Sequence, residues 1–405
     1  MESKISIKYL LKDLGISSFN NLIISAIGFF VSIKIANELG TEVYGKYNYF
    51  LTIAAMFSII LNFGTDKLAA IYYEKTQNLQ LVFNNIVSIR FSFFLISILL
   101  SFFVFDFIIF LSILCLNISC LNLSFVFELD RNNKKFSYLF LIERFLYYVL
   151  ILIILLFLEL TIEYVLFSVA ISSFFGIVIQ YIINYSLLNK FKLDFIFLNK
   201  TAISDNILIT VIFFSEFAYG GISKIFLEDK LDFESLGIFS AGMQIILLIS
   251  IFQSQVEKVF RPLIYNSINI SKRSFFNSIT KYLILTTLPV ILFSILFFSI
   301  GSILIEFLFS LEYKDISKIL FELSVYAVLI NIKSLTGIVY VGFDRVLRFT
   351  LISLVFSILL IFSFYISPPK MSINFYFHII LFFLVLNYCY MFFDSLNLLK
   401  RKYAK

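Results

Sequence analysis

The 405-residue chain contains no tryptophan, one histidine, three cysteines and four prolines, and only 14% of its residues are charged. An average soluble domain is about one quarter charged, so this composition excludes a soluble globular domain. Cys115, Cys120 and Cys389 all lie in apolar runs, which predicts neither a disulfide framework nor a C-x-x-C metal site. No glycine-rich loop ending in Lys-Ser or Lys-Thr is present, so we expect no ATP hydrolysis, no cofactor and no bound metal.

Long apolar runs make up most of the chain, which is 60% hydrophobic and has a mean hydropathy of +0.98. Each run is about 17 to 25 residues, long enough for a helix to cross a hydrocarbon core of roughly 30 Å. The runs lack the apolar and polar alternation of transmembrane barrel strands. The sequence therefore predicts an all-α polytopic membrane protein with about twelve transmembrane helices, at residues 14–36, 47–63, 86–105, 107–127, 138–158, 164–188, 203–226, 236–256, 282–305, 319–341, 349–366 and 375–393.

The formal charge of +6 comes mainly from short segments between the spans. On the side of both termini these segments contain 22 lysines and arginines, whereas the opposite side contains 5. This bias predicts cytoplasmic termini in the inner (plasma) membrane and argues against a nucleic-acid partner. The opposite loops are all short, so we expect no extracytoplasmic domain and place any chemistry within the helical bundle.

A short motif repeats between the two halves of the sequence. The pattern E-x-x-G-x-Y at residues 42–47 recurs as E-x-x-G-x-F at residues 234–239, 192 positions later. An interval of this length fits two halves of six helices each, related by an axis along the membrane normal. We therefore predict an N-terminal six-helix bundle over residues 1–190 and a C-terminal six-helix bundle over residues 191–405.

Several short motifs resemble those of one transporter family. They are LGTEVYGKY at 39–47, NFG at 62–64, the repeat at 234–239, RP at 261–262 and EY at 312–313. With the chain length and the span count, they resemble polysaccharide flippases of the Wzx type, in the multidrug/oligosaccharidyl-lipid/polysaccharide exporter superfamily. The resemblance implies a V-shaped fold of two bundles that moves an undecaprenyl-pyrophosphate-linked oligosaccharide outward by alternating access.

For the first of these motifs the residues themselves predict a structural role. Gly40 and Gly45 are expected to bracket a tight turn at the membrane interface, and Tyr44 and Tyr47 to anchor it at the level of the headgroups. We favour this role over direct contact with a substrate.

Charged residues inside spans are costly and normally face a polar interior, so they are the candidate substrate-binding residues. In the seventh predicted span Asn206, Thr210, Gly221 and Lys224 fall within about 60° of one another on an ideal helix, with Glu216 about 80° away. In the tenth span Glu322 and Lys333 fall within about 20° of one face and about 16 Å apart, too far for an ion pair.

Three further candidates have a competing explanation. Asn21 belongs to a stripe of small polar residues in the first span, which close helix packing would explain equally well. Arg90 is near a span end, where snorkelling competes with binding of a substrate phosphate and is favoured by geometry. Arg144 follows Glu143 directly, so at least one of the two is expected to point inward. The candidate cavity-lining set is Lys224, Lys333, Arg144, Arg90, Glu216, Glu322, Asn21 and Asn206.

If the five basic residues within spans lined one lumen together with Glu143, Glu216 and Glu322, that lumen would be mildly cationic and suited to a pyrophosphate. The remaining candidate, His378, is interpreted as a polar interfacial residue. The expected function is a transporter, a flippase for lipid-linked oligosaccharide repeat units, with membrane lipids as partners and a polymerase and a chain-length regulator of the same pathway as candidate partners. The alternatives are a cation-coupled multidrug exporter of the same superfamily and, less favoured, an oligosaccharide polymerase, which would display long outer loops rich in arginine.

Overall fold

The computed structural model describes residues 7–130, 133–195, 200–343 and 345–403. Asn21 and Lys333 lie on described helices, but their side chains are outside the described part of the structure. The helices are α1 (Ile7–Asn62), α2 (Thr65–Thr76), α3 (Leu79–Val104), α4 (Phe107–Asn117), α5 (Ser124–Leu129), α6 (Asn133–Phe157), α7 (Ile162–Ile183), α8 (Tyr185–Leu188), α9 (Lys200–Phe217), α10 (Ser223–Lys230), α11 (Phe233–Ile270), α12 (Lys272–Leu308), α13 (Leu320–Gly342), α14 (Val346–Ile366) and α15 (Ile373–Tyr403). A π-helical segment, Ala218–Ile222, joins α9 to α10, and a 3-10 segment, Leu311–Ile319, precedes α13.

The predicted all-α membrane fold is confirmed. Within the described residues, ten helical stretches are long and apolar enough to cross a membrane, and no strand occurs. One of the ten, Leu22–Asn62, covers residues 22–36 of the first predicted span and 47–62 of the second, and α11 contains the eighth with a shorter apolar stretch, Phe233–Leu247. The twelve predicted spans thus all have a helical counterpart.

The chain divides into two compact units. The first contains Met1–Val31 and Tyr47–Phe214, and the second contains Ser32–Lys46 and Ser215–Lys405. These units differ from the predicted division at residues 190 and 191, because the middle of α1 packs in the second unit and most of α9 in the first. Within the first unit, an apolar core forms where α2, α3 and α5 meet, around Val82, Phe83 and Val126. Within the second, Ile264, Phe275 and Tyr282 join α11 and α12 to the end of α13.

The loops predicted to lie on the outer side contact one another in the second unit. The backbone N–H of Lys370 donates to the carbonyl of Lys230 at 2.9 Å, and the side chain of Asn374 donates to the carbonyl of Lys318, also at 2.9 Å. These contacts join the segments that follow α10, α12 and α14. The three segments therefore lie on the same side of the membrane, as the predicted span count requires.

The motif at residues 39–47 breaks α1 at one position. Gly40 has a φ of 72° and a ψ of 170°, a conformation that glycine adopts without steric cost, so the expected turn begins there. The prediction for the other three motif residues is wrong. Gly45 is helical, and Tyr44 and Tyr47 are buried, with Tyr44 packed edge-on against Tyr313 at 6.3 Å between ring centroids. The aromatic rings fill a protein interior instead of anchoring at the headgroups.

Gly45 instead permits a close approach between α1 and the start of α11. A Cβ atom on Gly45 would lie 1.8 Å from the carbonyl oxygen of Phe233, and one on Gly237 would lie 2.0 Å from the carbonyl oxygen of Thr41. The contact is reciprocal, because Thr41 and Gly45 have Phe233 and Gly237 as their counterparts 192 positions later. The sequence repeat is therefore explained by a crossing at which each helix presents a glycine to the other's backbone.

Candidate functional site

The described candidate residues are distributed over both compact units. Arg90, Arg144 and Asn206 lie in the first unit, and Glu216, Lys224 and Glu322 lie in the second. Each unit therefore has its own set of polar groups within membrane-spanning helices. The second unit contains the denser set, which is centred on the π-helical segment.

The π-helical segment Ala218–Ile222 interrupts the seventh span one turn before Lys224. A π turn contains an extra residue, and such turns occur often at functional sites. The hydroxyl of Ser223 donates to the carbonyl of Ala218 at 3.0 Å, which satisfies a backbone acceptor inside the irregular turn. Because an ideal helix was assumed in predicting the polar stripe, the direction of Lys224 relative to Asn206 and Thr210 differs from the predicted one.

Three buried tyrosines and one asparagine lie beside the π-helical segment. We call Tyr219, Tyr326, Asn387 and Tyr388 the tyrosine cluster; each is at most 3% exposed. The amide nitrogen of Asn387 donates to the Tyr219 hydroxyl at 3.0 Å, while its amide oxygen has no hydrogen-bond partner among the described residues. Tyr388 is within electrostatic range of Tyr219 and Tyr326. A buried acceptor without a donor is uncommon, so the Asn387 oxygen is available to a water molecule or to a ligand.

Glu216 and Lys224 flank the tyrosine cluster on the same helical stretch. Glu216 is exposed and lies within electrostatic range of Tyr388, and Lys224 is half-buried on the first turn of α10. Gly220 lies next to the cluster, since a Cβ there would be at an ordinary contact distance of 3.7 Å from the Tyr326 hydroxyl. Hydroxyl, amide, carboxylate and ammonium groups are therefore assembled around one helical irregularity.

Glu322 lies between the starts of α13 and α15, at the end of the second unit that is predicted to be the outer one. Its Oε1 accepts from the Asn374 side chain at 3.1 Å and lies 3.3 Å from His378 Nε2. Glu322 is 4% exposed, and its Oε2 has no hydrogen-bond partner among the described residues. His378, interpreted from the sequence as an interfacial residue, is exposed and also contacts this carboxylate. Glu322 therefore joins two helix ends and retains one free acceptor oxygen.

Arg90 does not snorkel, because its side chain is only 1% exposed. It forms an ion pair with Asp66 at 2.6 Å, and its Nε donates to the Thr65 hydroxyl at 2.9 Å. Its Nη1 donates to the carbonyls of Cys120 and Asn122 at 3.3 and 3.2 Å. The guanidinium thus joins α2, α3 and the segment before α5. With these donors engaged, Arg90 holds the first unit together in this conformation.

Arg144 and Glu143 point to different surroundings, as their adjacent positions on α6 require. The Arg144 guanidinium carbon lies 4.9 Å from the ring centroid of Phe140, a cation–π distance. Glu143 is buried, accepts from the Ser173 hydroxyl at 3.2 Å, and borders an apolar cavity of about 260 Å³. Gly176 leaves room for the carboxylate, since a Cβ there would be 2.6 Å from Glu143 Oε2. Of the two residues, Glu143 is the inward one.

Asn206 is fully buried in the first unit, where the Tyr72 hydroxyl donates to its Oδ1 at 3.1 Å. Burial raises the pKa of Tyr72 to about 12, although the hydrogen bond to Asn206 opposes this shift. The Nδ2 of Asn206 has no hydrogen-bond acceptor among the described residues. Asn206 therefore contacts α2 and is not part of the polar set around Lys224.

Sequence reasoning did not single out most of the tyrosine cluster. With 23 tyrosines in the chain, no single tyrosine is distinctive, and Asn387 lies in an otherwise apolar run. Two adjacent glycines, Gly220 and Gly221, inside a predicted span are the signal that would have indicated an irregular helix there.

Comparison with known proteins gives a family match and a set of similar folds. The model of a family described as "Polysaccharide biosynthesis protein" matches residues 10–267, more than half of the chain. No curated protein matches. Among solved structures, an inward-facing multidrug resistance MATE family transporter of the MOP superfamily has a TM-score of 0.67 at 13% identity, covering 96% of this chain and 99% of that one.

Two other structures extend this comparison. An outward-facing conformation of a multidrug resistance MATE family transporter has a TM-score of 0.64 at 14% identity, covering 97% of both chains. A MOP superfamily transporter from Pyrococcus furiosus, described by a reversed polarity of its binding pocket that suggests a different function, has a TM-score of 0.58 at 10% identity and covers 96% of both chains. At these identities the similarity is one of fold.

Proposed function

Because this chain belongs to the polysaccharide biosynthesis protein family, we propose that it is a flippase for undecaprenyl-pyrophosphate-linked oligosaccharide repeat units. Family and fold together support a multi-pass membrane transporter of the MOP superfamily over an enzyme. The proposal adds the substrate and the direction, from the cytoplasmic to the outer leaflet of the inner membrane by alternating access. The family match over residues 10–267 is the observation that carries it.

The polar groups of the second unit fit a substrate with sugar and phosphate parts. Tyrosine hydroxyls and the free Asn387 oxygen provide the donors and acceptors that sugar hydroxyls require. Lys224 provides a positive charge near them, and an ammonium binds phosphate as a point charge. Lys333 is proposed as a second such group on sequence grounds. The lipid tail would remain in the bilayer, so the protein needs a polar path only for the headgroup.

Topology and partners are also proposed. The excess of lysine and arginine in the segments on the side of both termini supports cytoplasmic termini and an inner-membrane location. A flippase of this kind delivers single repeat units, so a polymerase and a chain-length regulator acting at the outer leaflet are its proposed partners. Production of O-antigen, lipopolysaccharide or a capsule is the proposed outcome of that route.

Gene deletion tests the proposed substrate. We expect lipid-linked oligosaccharide to accumulate as single, fully assembled repeat units at the cytoplasmic leaflet, and the intact gene to restore surface polysaccharide. Repeat units that reach the outer leaflet at the normal rate in the deletion strain would exclude this function. Repeat units that are exported but remain unpolymerised would instead favour the polymerase.

A cation-coupled multidrug exporter of the same superfamily is the second candidate. The exposed Glu216 and the partly unpartnered Glu322 favour it, because carboxylates suit cationic substrates. Neighbours of similar fold are described as multidrug resistance transporters, although the Pyrococcus furiosus transporter is described by reversed pocket polarity and a different function. This candidate predicts that the deletion strain becomes sensitive to cationic drugs and keeps its surface polysaccharide, the reverse of the flippase result.

A further inference from the structure

The turn at Gly40 is held by residues that follow α12, far away in the sequence. The Asn37 side chain donates to the carbonyl of Leu308 and accepts from the backbone N–H of Ser310, both at 2.9 Å. The Asn37 amide thus bonds both the last carbonyl of α12 and a backbone N–H just beyond the end of that helix. Such terminal carbonyls need a partner, and here a side chain from α1 supplies one.

Two further hydrogen bonds complete this contact. The Tyr313 hydroxyl donates to the carbonyl of Ala36 at 2.9 Å, and the backbone N–H of Thr41 donates to Glu312 Oε2 at 3.2 Å. The first bond lies before the turn at Gly40 and the second lies after it. We call residues 36–41 and 308–313, with these four bonds, the clasp.

Glu312 acts in the clasp as a helix cap supplied from another part of the chain. The helical stretch after Gly40 begins at Thr41, and its first N–H group bonds Glu312 instead of a capping residue of its own. At the equivalent position 192 residues later, Asp232 caps α11 directly by accepting from the backbone N–H of Ser235 at 2.7 Å. The two related helices are therefore capped differently. The cap of α11 comes from the adjacent residue Asp232, whereas that of α1 comes from a distant segment of the clasp.

The two segments of the clasp each have a backbone feature that is compatible with movement. Gly40 has the positive φ given above, and Glu312 belongs to a nine-residue 3-10 segment, Leu311–Ile319. Runs of 3-10 helix longer than three or four residues are uncommon, because their hydrogen bonds have poorer geometry than those of an α-helix. Glu312 is also exposed, so water can replace its bond to Thr41. The clasp thus joins the glycine turn to a 3-10 segment through buried and part-buried bonds from Tyr313 and Asn37 and through one bond to Glu312 that water can replace.

We propose that the clasp opens and closes during transport, with Glu312 as the positioning residue that caps α1 only in the closed form. The turn at Gly40 absorbs the change in backbone direction when the bonds are released. The proposed movement rests on the proposed transport function. The role of Glu312 in the closed form rests on the described contacts alone.

Spin labels test the clasp without any substrate. Labels are placed at Glu38→Cys and Lys314→Cys, two exposed positions beside the clasp, after the three native cysteines are replaced by serine. The purified protein in lipid nanodiscs should give two populations by electron paramagnetic resonance, dipolar-coupled and uncoupled. Glu312→Ala should lower the ratio of coupled to uncoupled protein about fivefold, the change that a lost cap of about 1 kcal/mol produces.

The control for this measurement is Glu306→Ala, which removes an exposed glutamate of α12 outside the clasp and should leave the ratio unchanged. Asn37→Ala should act like Glu312→Ala, so a folding failure of one variant leaves the other. A single coupled population in the parent protein, or a Glu312→Ala spectrum identical to that of Glu306→Ala, would overturn the proposal.

A cross-link then tests whether opening is required for transport. In the Thr41→Cys, Glu312→Cys double variant, oxidation should lower the rate of surface polysaccharide export at least tenfold. A reductant should restore that rate. Each single-cysteine variant is the control and should be insensitive to oxidation. Normal export by fully cross-linked protein would contradict the movement. If even the unmodified protein fails to restore export in a deletion strain, the proposed substrate is wrong, while the spin-label result still decides the clasp.

Discussion

The backbone nitrogen of Gly237 lies 3.0 Å from the position that a Cβ atom on Gly45 would occupy. The same Cβ would lie 1.8 Å from the carbonyl oxygen of Phe233, so no side-chain rotation could relieve the overlap. The two helices must separate if either glycine gains a side chain. The closeness of this crossing gives the first prediction.

Gly45→Ala and Gly237→Ala should each lower the amount of folded protein in the membrane. Overpacking costs about 1 to 3 kcal/mol in well-packed interiors, and here the clash is with backbone. Gly337→Ala is the matched control, since a Cβ there meets only a Phe349 ring atom at an ordinary 3.8 Å. Quantitative blots and thermal unfolding in detergent measure the effect. Equal stability of all three variants would show that the crossing is not close in the membrane.

Removing Asp66 should destabilise the first unit, because the almost completely buried Arg90 would lose its ion-pair partner. Breaking a buried pair costs about 3 to 5 kcal/mol, although the partial exposure of Asp66 makes the lower end of that range the better guide. The double variant Arg90→Met, Asp66→Ala should recover part of the stability lost in Asp66→Ala, since the uncompensated charge is gone. A double variant less stable than Asp66→Ala would mean that the bonds from Arg90 to Thr65, Cys120 and Asn122 matter more than its charge.

Asn387 and Asn331 are equally buried but should respond differently to alanine. Asn331 bonds α12 through both amide atoms, accepting from the Thr287 hydroxyl at 3.0 Å and donating to the Thr286 carbonyl at 3.3 Å. The amide oxygen of Asn387, beside the π-helical segment, has no hydrogen-bond partner in the described part of the chain. Asn331→Ala should therefore lower protein abundance, and Asn387→Ala should lower export with little change in abundance. Parallel blots and surface polysaccharide assays separate the two, and export lost only in step with abundance for Asn387→Ala would remove it from the site.

Much of the fold follows from the sequence, because twenty-residue apolar runs have few alternatives in a membrane. Gly40 was predicted at a turn because the motif places two glycines at a span end. The burial of Tyr44 and the ion pair of Arg90 were not predictable, since their partners, Tyr313 and Asp66, lie on other helices. The tyrosine cluster depends on a π turn, which shifts the helical angles on which a polar stripe is predicted.

Topology can be tested by reporter fusions. The bias in lysine and arginine predicts cytoplasmic fusions at residues 132 and 199 and at the C-terminus, and external fusions at Lys230 and Lys370. The hydrogen bond between the backbones of Lys230 and Lys370 requires these last two fusions to report the same side. Paired alkaline phosphatase and green fluorescent protein fusions provide the measurement. Opposite results at Lys230 and Lys370 would contradict both the span count and the structure.

Lys224→Ala should impair export while leaving abundance nearly unchanged, because removing a charge from a span relieves an insertion cost of roughly 2.5 to 3.5 kcal/mol. Lys224→Glu should be worse, since a phosphate would meet like charge where screening is poor. Lys224→Arg should retain export if only the sign of the charge matters. We expect Lys333 to behave in the same way. Lys318→Ala, at an exposed lysine paired with Asp315, is the control and should export normally.

Liposomes containing the purified protein can show whether the transported substrate is a lipid-linked oligosaccharide. Undecaprenyl-pyrophosphate-linked oligosaccharide is incorporated in both leaflets, and an added glycosidase that cannot cross the bilayer digests only the outer pool. We expect the wild-type protein to make the protected inner pool accessible to the glycosidase. With Lys224→Glu the inner pool should become accessible several-fold more slowly. An inner pool that stays protected at the rate of protein-free liposomes, while the same preparation transports a cationic drug, would contradict it.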